Sequence, residues 1–291
     1  LMKELIEKAG LLVEALPYIQ DFRGAIVVVK FGGSAMDVPE LIESTLRDVV
    51  LMEIVGMRPV IVHGGGKAIS RRLNEIGVQE VRTGGMRHTC DVSIKVVDDV
   101  LHNEVNAQLL EMMSKHKGKG TRVSGKDVLK ANKLYVQDGE EKVDVGFVGE
   151  VYDVHTEEIL KAIDAGEIPV IAPLAKDDEG NIYNVNADLA AAKVAEALKA
   201  RKLVYLSDVP GLLRDRFDEE TLISTIRVDE VKDYIDEGII AGGMLPKVQS
   251  AVDALNAGCR KVHMIDGRMK HSLLLEFFTD HGVGTEIVHG E

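Results

Sequence analysis

The sequence predicts an α/β protein: an open three-layer αβα sandwich with a mainly parallel central sheet, a small antiparallel insertion and an extra N-terminal helix. Three observations predict it. Short, near-continuous apolar runs rich in β-branched residues recur along the chain, as strands buried on both faces of a parallel sheet require. Amphipathic helical patterns separate these runs, and alternation of this kind places helices on both sheet faces. The alternation breaks at the N-terminus and between Thr121 and Val154, which adds a helix and an insertion to the basic plan.

The elements follow in order. From Met2 to Leu16 the chain reads as an amphipathic helix with Leu5, Ala9, Leu12 and Leu16 on one stripe, stopped by Pro17. The sheet does not need this helix, so it packs either on its own domain or on another subunit. Strands are predicted at Ala25–Lys30, Pro59–His63, Pro169–Pro173, Lys202–Ser207 and Lys261–Ile265. Helices are predicted at Pro39–Val55, Lys67–Ile76, Asp91–Lys115, Glu157–Ala165, Ala187–Ala200 and Pro246–Ala257. In the first of these, Ile42, Leu46, Val49 and Val50 share one face. The stretch from Thr121 to Val154 reads as short alternating strands with turns at Asp138-Gly139 and Val148-Gly149. A polar turn, Asp177-Asp178-Glu179-Gly180, predicts a lobe boundary between Pro173 and Asn181. The expected organisation is an N-terminal helix over 1–22, a first lobe over 23–175 and a second over 176–291.

Composition narrows the function. The 291 residues are 45% hydrophobic but only 4% aromatic, so the core is aliphatic. With 35 Lys and Arg against 48 Asp and Glu, the net charge of −13 argues against a nucleic-acid or anionic-membrane binder. A small anionic substrate stays possible, because a few local cations can override the overall field. The two cysteines, Cys90 and Cys259, build neither a zinc motif nor a disulfide framework. The apolar runs are too short for a membrane span or a signal peptide, so a cytoplasmic protein is expected.

The glycines mark the chemistry. The first strand ends in Lys30-Phe31-Gly32-Gly33-Ser34 and the second in His63-Gly64-Gly65-Gly66-Lys67, which leads straight into a helix. Ligands of open α/β sheets bind beyond the carboxyl ends of the strands, where such loops and helix N-termini offer amides to anions. Further on, Asn184-Val185-Asn186-Ala187-Asp188 opens a helix, with Asn186 as N-cap and Asp188 in the first turn. Leu206 to Leu213 is a strand end followed by a loop. Gly242-Gly243-Met244-Leu245-Pro246-Lys247 is a Gly-rich turn into a helix with Pro at its first position and Lys247 beside its amides. The run Gly120 to Lys126 fits a P-loop spacing, but Asp127 stands where the metal-binding hydroxyl belongs, and the run falls in the antiparallel insertion.

Together these blocks resemble the amino acid kinase family, from about Val13 to Val288, and within it the branch that phosphorylates N-acetyl-L-glutamate. Further anchors are Gly84-Gly85-Met86-Arg87-His88-Thr89, Val145 to Val151 and Leu206 to Leu213. The resemblance implies transfer of the ATP γ-phosphoryl group to the side-chain carboxylate of that amino acid, a step of arginine biosynthesis. It assigns Lys30 and Lys247 to the transferring phosphoryl, with Asp188 organising both lysines. Gly65, Gly66, Arg87 and Asn184 match the acceptor contacts. Gly32, Gly33 and Gly64, the segment Asp208, Val209, Gly211, Leu212 and Leu213, and the segment Ile239, Ile240 and Ala241 match phosphate and nucleotide contacts. Mg²⁺ would be carried by ATP, with no direct protein ligand. Three positions depart from the family pattern: His88 and Cys90 flank Thr89 where Val and Asp are usual, and Lys67 replaces a frequent Pro.

Both chain ends resemble the arginine-inhibited branch of the family, in which N-terminal helices interlace dimers into a hexamer. The resemblance implies L-arginine as effector, with Tyr18, His263, Glu276 and Gly282 at its site. Two alternatives remain: a sibling kinase acting on glutamate, aspartate, carbamate or UMP, and a non-catalytic arginine sensor on the same fold.

Overall fold

The computed structural model describes residues 2–279 and 282–290. Asp280 and His281, part of the C-terminal block, lie outside the described residues. The chain opens with α1 (Met2–Glu14) and α2 (Leu16–Phe22). Next come β1 (Ile26–Phe31), α3 (Pro39–Ile54), β2 (Arg58–His63) and α4 (Gly66–Glu75). A small hairpin, β3 (Arg82–Thr83) and β4 (Met86–Arg87), precedes a long helical stretch. That stretch is α5 (Asp91–Asp99), a π-helical segment at Val100–Asn106 and α6 (Ala107–Lys115). β5 (Gly120–Val123), α7 (Gly125–Val128), β6 (Leu129–Asp138), β7 (Glu141–Val154) and α8 (Glu157–Asp164) follow. β8 (Ile168–Ile171), β9 (Leu174–Lys176), β10 (Ile182–Asn184), α9 (Ala187–Ala197) and β11 (Lys202–Ser207) lead into the C-terminal third. This contains β12 (Thr225–Arg227), α10 (Val231–Asp236), α11 (Met244–Asn256), β13 (Lys261–Asp266), α12 (Ser272–Phe278) and β14 (Thr285–Val288).

Eight strands form the central sheet in the order β12-β14-β13-β11-β1-β2-β8-β5, parallel except where β14 runs against β13. The predicted α/β sandwich is therefore the observed one. Strands from either side of the polar turn at Asp177 occupy opposite halves of the sheet and meet where β1 pairs with β11. The apolar runs are explained by burial on two faces. Val28, Val60, Val62 and Leu203 join one core, while Val27, Val29, Ile61 and Val204 join the other. Each such side chain, fully withdrawn from water, contributes about 1.5–3 kcal/mol.

Several local expectations change. Thr121 to Val123 are part of β5, which pairs in parallel with β8 at the sheet edge, so the insertion starts only at β6. The P-loop-like run consequently does follow a strand into a helix, contrary to the expected setting. It still offers no phosphate loop, since Gly120 is within the strand and Lys126 is committed to both oxygens of Asp98 at 2.8 and 2.9 Å. The turn at Asp138-Gly139 is real, but Val148-Gly149 lies inside β7. A Cβ on Gly149 would come within 2.7 Å of Tyr183 Cβ, so this glycine permits close strand packing and does not make a turn. β6, β7, β9 and β10 close into a small four-stranded ring.

Pro17 is the second residue of α2 and does not end the preceding helix, because the first turn of a helix does not need the missing N–H. Pro246 is likewise the third residue of α11, still within the donor-free first turn. The expected N-terminal stripe is not covered by its own domain: on α1, Leu5 is 52% exposed and Leu12 77%, and Leu16, which opens α2, is 47% exposed.

Candidate active site

A cavity of about 300 Å³ opens beyond the carboxyl ends of β1 and β2. The early glycine loops form one wall, the β3–β4 hairpin another, and the start of α9 its floor. At one end Asp188 joins two lysines. Lys30 Nζ lies 3.0 Å from Asp188 Oδ1, and Lys247 Nζ lies 3.7 Å from Oδ2. Asn186 caps α9 as its sequence position suggests, accepting from the amides of Asp188 and Leu189 at 2.9 and 3.2 Å. Burial pushes the Asp188 carboxyl up, but Lys30 and Lys247 outweigh it and hold the group below the usual carboxylate range. The three residues named from the sequence are thus one ion-paired unit.

Tyr205, absent from the sequence expectations, underlies this unit. Lys30 and Tyr205 are partners in the β1–β11 register. The Tyr205 hydroxyl lies 2.9 Å from Ser250 Oγ on α11 and 3.3 Å from the Asp188 carbonyl on α9. Its ring lies 5.8 Å from Lys247 Nζ. Burial raises the phenol well above its ordinary value, so it remains a neutral tie between the helices bearing Asp188 and Lys247.

Arg87 and Asn184 line the same cavity at its other end. Arg87 Nη2 donates to the Gly66 carbonyl at 2.9 Å and to Ser70 Oγ at 3.1 Å, and Nη1 pairs with Glu80. Asn184 Nδ2 donates to Thr89 Oγ1 at 3.4 Å. Gly65 and Gly66 are the N-cap and first residue of α4, where amides lack acceptors within the helix. Gly64 differs: its N–H donates to the Phe31 carbonyl at 2.7 Å, so that amide is already engaged. Lys67 pairs with Asp37, and His88 Nε2 contacts Thr83 Oγ1 at 2.8 Å, bracing the hairpin.

A buried relay supports the second glycine loop. His63 Nδ1–H donates to the Gly64 carbonyl at 2.7 Å, and Asn106 Nδ2 donates to His63 Nε2 at 3.1 Å. Asn106 closes the π-helical segment and accepts from Arg122 Nε at 3.1 Å. Burial lowers His63 to about 4, so it is neutral near pH 7.

The remaining expected residues fall into three places. Gly33 and Asp208 line an adjoining cavity of about 500 Å³. Gly33 has φ +66°, and a Cβ there would lie 2.3 Å from Asp208 Oδ1, so only glycine fits. Leu213, Ile239 and Ala241 border a separate cavity of about 660 Å³ with Arg214 and Phe217. Leu212 and Ile240 have their side chains in the core, at 2% and 1% exposure.

The C-terminal residues gather elsewhere. Glu276 Oε1 accepts from Lys202 Nζ at 2.7 Å and lies 2.9 Å from His263 Nδ1, and Gly282 borders Oε2. Burial pushes Glu276 up, yet His263 and Lys202 bring it below its ordinary value. Phe22 and Phe277 meet edge to face at 5.2 Å, and Lys202 Nζ lies 5.4 and 4.9 Å from their centroids. Tyr18 is on α2, the helix that carries Phe22. Lys202 was missed because a lysine opening a strand carries no signal in the sequence.

Among the described residues, no group of three or more His, Cys, Asp or Glu could hold a metal ion, and no helix is long and apolar enough to cross a membrane. The sequence profile of the amino acid kinase family matches residues 25–266. The acetylglutamate kinase of Carboxydothermus hydrogenoformans is 47% identical over 98% of this chain and 99% of its own length. That of Aquifex aeolicus is 48% identical over 98% and 99%. N-acetylglutamate synthase from Neisseria gonorrhoeae, solved with coenzyme A and N-acetyl-glutamate, superposes with TM-score 0.85 at 27% identity over 97% of this chain. The chain spans 64% of that protein's length. Carbamate kinase from Giardia lamblia bound to AMP-PNP shares the fold, with TM-score 0.63 and 16% identity over 92% of this chain and 99% of that one.

Proposed function

The chain belongs to the amino acid kinase family, and from that premise we propose that it transfers the γ-phosphoryl of ATP to the side-chain carboxylate of N-acetyl-L-glutamate. The product is N-acetyl-L-glutamyl 5-phosphate, made in the cytoplasm for arginine biosynthesis. The observation that carries this reading is one cavity with Lys30 and Asp188 at one end, Asp188 being paired in turn with Lys247, and Arg87 at the other, in a protein of net charge −13. The relatives at 47–48% identity are named for the same reaction.

The chemistry follows from the charges. An acceptor carboxylate oxygen forms a bond to the γ-phosphorus as the bond to the β,γ-bridging oxygen breaks, and ADP leaves with that electron pair. The acceptor is already ionised, so no base is needed. Asp188, held ionised by two lysines, is an organiser and not a proton acceptor. Lys30 and Lys247 neutralise charge on the moving phosphoryl, and the amides of Gly65 and Gly66 add fixed dipoles. Arg87 holds the non-reacting carboxylate, and Asn184 contacts the acceptor beside it. Gly32, Gly33 and Asp208 border the phosphate path, and the cavity at Leu213, Ile239 and Ala241 takes the rest of the nucleotide. Asp188 is paired with both lysines, and Mg²⁺, when bound, would be carried by the nucleotide and would supply charge to the transferring phosphoryl with no direct protein ligand.

The test is hydroxylamine-trapped acyl phosphate formation from MgATP, with N-acetyl-L-glutamate and unacetylated glutamate as acceptors, with and without L-arginine. Product from the acetylated acceptor alone, suppressed by arginine, is expected. Product without suppression removes the effector assignment, and no product from folded protein overturns the kinase reading.

L-arginine is proposed to act at the Glu276 cluster, where a carboxylate and two rings already hold the Lys202 cation. The uncovered face of α1 is proposed to pair with a second copy, giving a hexamer built from dimers. Deleting residues 2–16 should yield dimers by light scattering and weaken arginine inhibition. Retained hexamers with unchanged inhibition would defeat this assembly.

A further inference from the structure

The main cavity has a carboxylate yoke at each end. Asp188 holds two lysines, and Glu80 holds two arginines that belong to the β3–β4 hairpin. Glu80 Oε1 accepts from Arg82 Nε at 2.7 Å, and Oε2 accepts from Ser70 Oγ at 2.6 Å and pairs with Arg87 Nη1. Ser70, on α4, also receives Arg87 Nη2 at 3.1 Å, so hairpin and helix are locked together through Glu80.

The hairpin geometry makes such a yoke necessary. Gly84 and Gly85 have φ of +56° and +80°, the left-handed pair of a tight two-residue turn. That turn sets Arg82 directly opposite Arg87 in the strand register. Like charges so placed repel each other, and a carboxylate between them offsets the repulsion. Burial pushes the Glu80 carboxyl up, but Ser70, Arg82 and Arg87 together bring it below its ordinary value. The two guanidiniums differ in access: the Arg87 side chain is 5% exposed and Arg82 49%, and both line the cavity. Arg82 has one further bond, from Nη1 to the Gly85 carbonyl at 3.4 Å, which leaves N–H groups for an incoming anion.

We propose that Glu80 is a positioning residue that holds Arg82 and Arg87 as a paired receptor for the non-reacting carboxylate of the acceptor, with Arg82 as its second binding guanidinium. This rests on the reading of the cavity as an N-acetyl-L-glutamate site. Glu80 sets the pitch between the two forks, so the pair is ready before the substrate arrives. The effect falls on acceptor binding and on discrimination for a charged group at that end, and not on the phosphoryl centre.

The experiment compares wild type, Glu80→Gln and Arg82→Met in steady-state kinetics. The acceptors are N-acetyl-L-glutamate and its α-carboxamide analogue, which keeps the reacting carboxylate and loses the other charge. Both variants should raise the acceptor KM by about tenfold or more, the size of a lost charge-assisted hydrogen bond. They should also shrink the preference for the acid over the amide by a similar factor, with the KM for ATP and the melting temperature near wild type. Loss of kcat, both KM values and melting temperature together, with the acid-over-amide preference intact, marks Glu80 as merely structural and overturns the proposal. Arg82→Met, on a half-exposed side chain, decides the matter if Glu80→Gln folds poorly: an acceptor KM within about twofold of wild type overturns it. Wild type that neither binds nor phosphorylates N-acetyl-L-glutamate removes the underlying site reading, and wild type alone reveals that outcome.

Discussion

Asp188→Asn lowers kcat by about 10²–10³, the range seen when one preorganised electrostatic contact is removed from a phosphoryl or acyl transfer site. The carboxylate ties together two cations from distant elements, Lys30 at the end of β1 and Lys247 in the first turn of α11. Without its charge, two ammonium groups within one small space repel, and neither is held where charge develops on the phosphoryl. Asn keeps the shape and the start of α9, which Asn186 caps independently. The KM for either substrate should change far less than kcat, because the loss falls on the transition state. Lys30→Met should give a loss of similar size, and the double variant should be much less impaired than the product of the two, since the residues act as one unit. Initial rates over both substrate concentrations check this. A kcat within about fivefold of wild type for Asp188→Asn removes the lysine pair from the mechanism.

Glu276→Leu destabilises the protein by about 3–5 kcal/mol, because it leaves Lys202 buried without its counter-charge. Both side chains are almost inaccessible, at 7% for Lys202 and 2% for Glu276. For a chain of this size that loss corresponds to a fall in melting temperature of roughly 10 °C. Lys202→Met combined with Glu276→Leu should recover much of it, because an apolar pair of similar volume avoids the desolvation of both charges. The pH dependence has a definite sign. Glu276 titrates below its ordinary value of 4.5 in the folded protein, so its stabilisation is fully present above that pH and is lost as pH falls through the depressed value. The gap in stability between wild type and Glu276→Leu should therefore narrow on acidification below about pH 4.5. Thermal unfolding between pH 3 and 8 checks both statements. A single variant melting within about 2 °C of wild type at pH 7 shows that the pair does not support the fold. If arginine acts at this cluster, Glu276→Leu also abolishes its inhibition of whatever activity survives.

The sheet and the strand-end glycine loops were legible because their signals are local. A strand buried on both faces must be apolar at every position, as Val27 to Val29 are, and glycines at its end mark where backbone approaches an anion. Asn186 and Asp188 announced a helix start through their side-chain chemistry. Local signals also misled. Val148-Gly149 has the composition of a turn but is a strand site at which Tyr183 leaves no room for a side chain. Pro17, expected to stop a helix, is in the first turn of the next one, and Pro246, expected as a first helical residue, is the third of α11, since a first turn accommodates proline at more than one residue.

From the sequence came the fold class and the strand-end loops, and from its resemblance to the family came the choice of Lys30, Asp188, Lys247 and Arg87 as site residues. The tertiary structure alone decided which charges meet. Glu80 with Arg82 and Arg87, Lys202 with Glu276, and Tyr205 beneath the lysines are pairings across 2 to 74 residues of chain. No periodicity or spacing encodes such a pairing. It arises when packing withdraws charged groups from water together, and each must then find its partner from whichever element the fold has brought alongside.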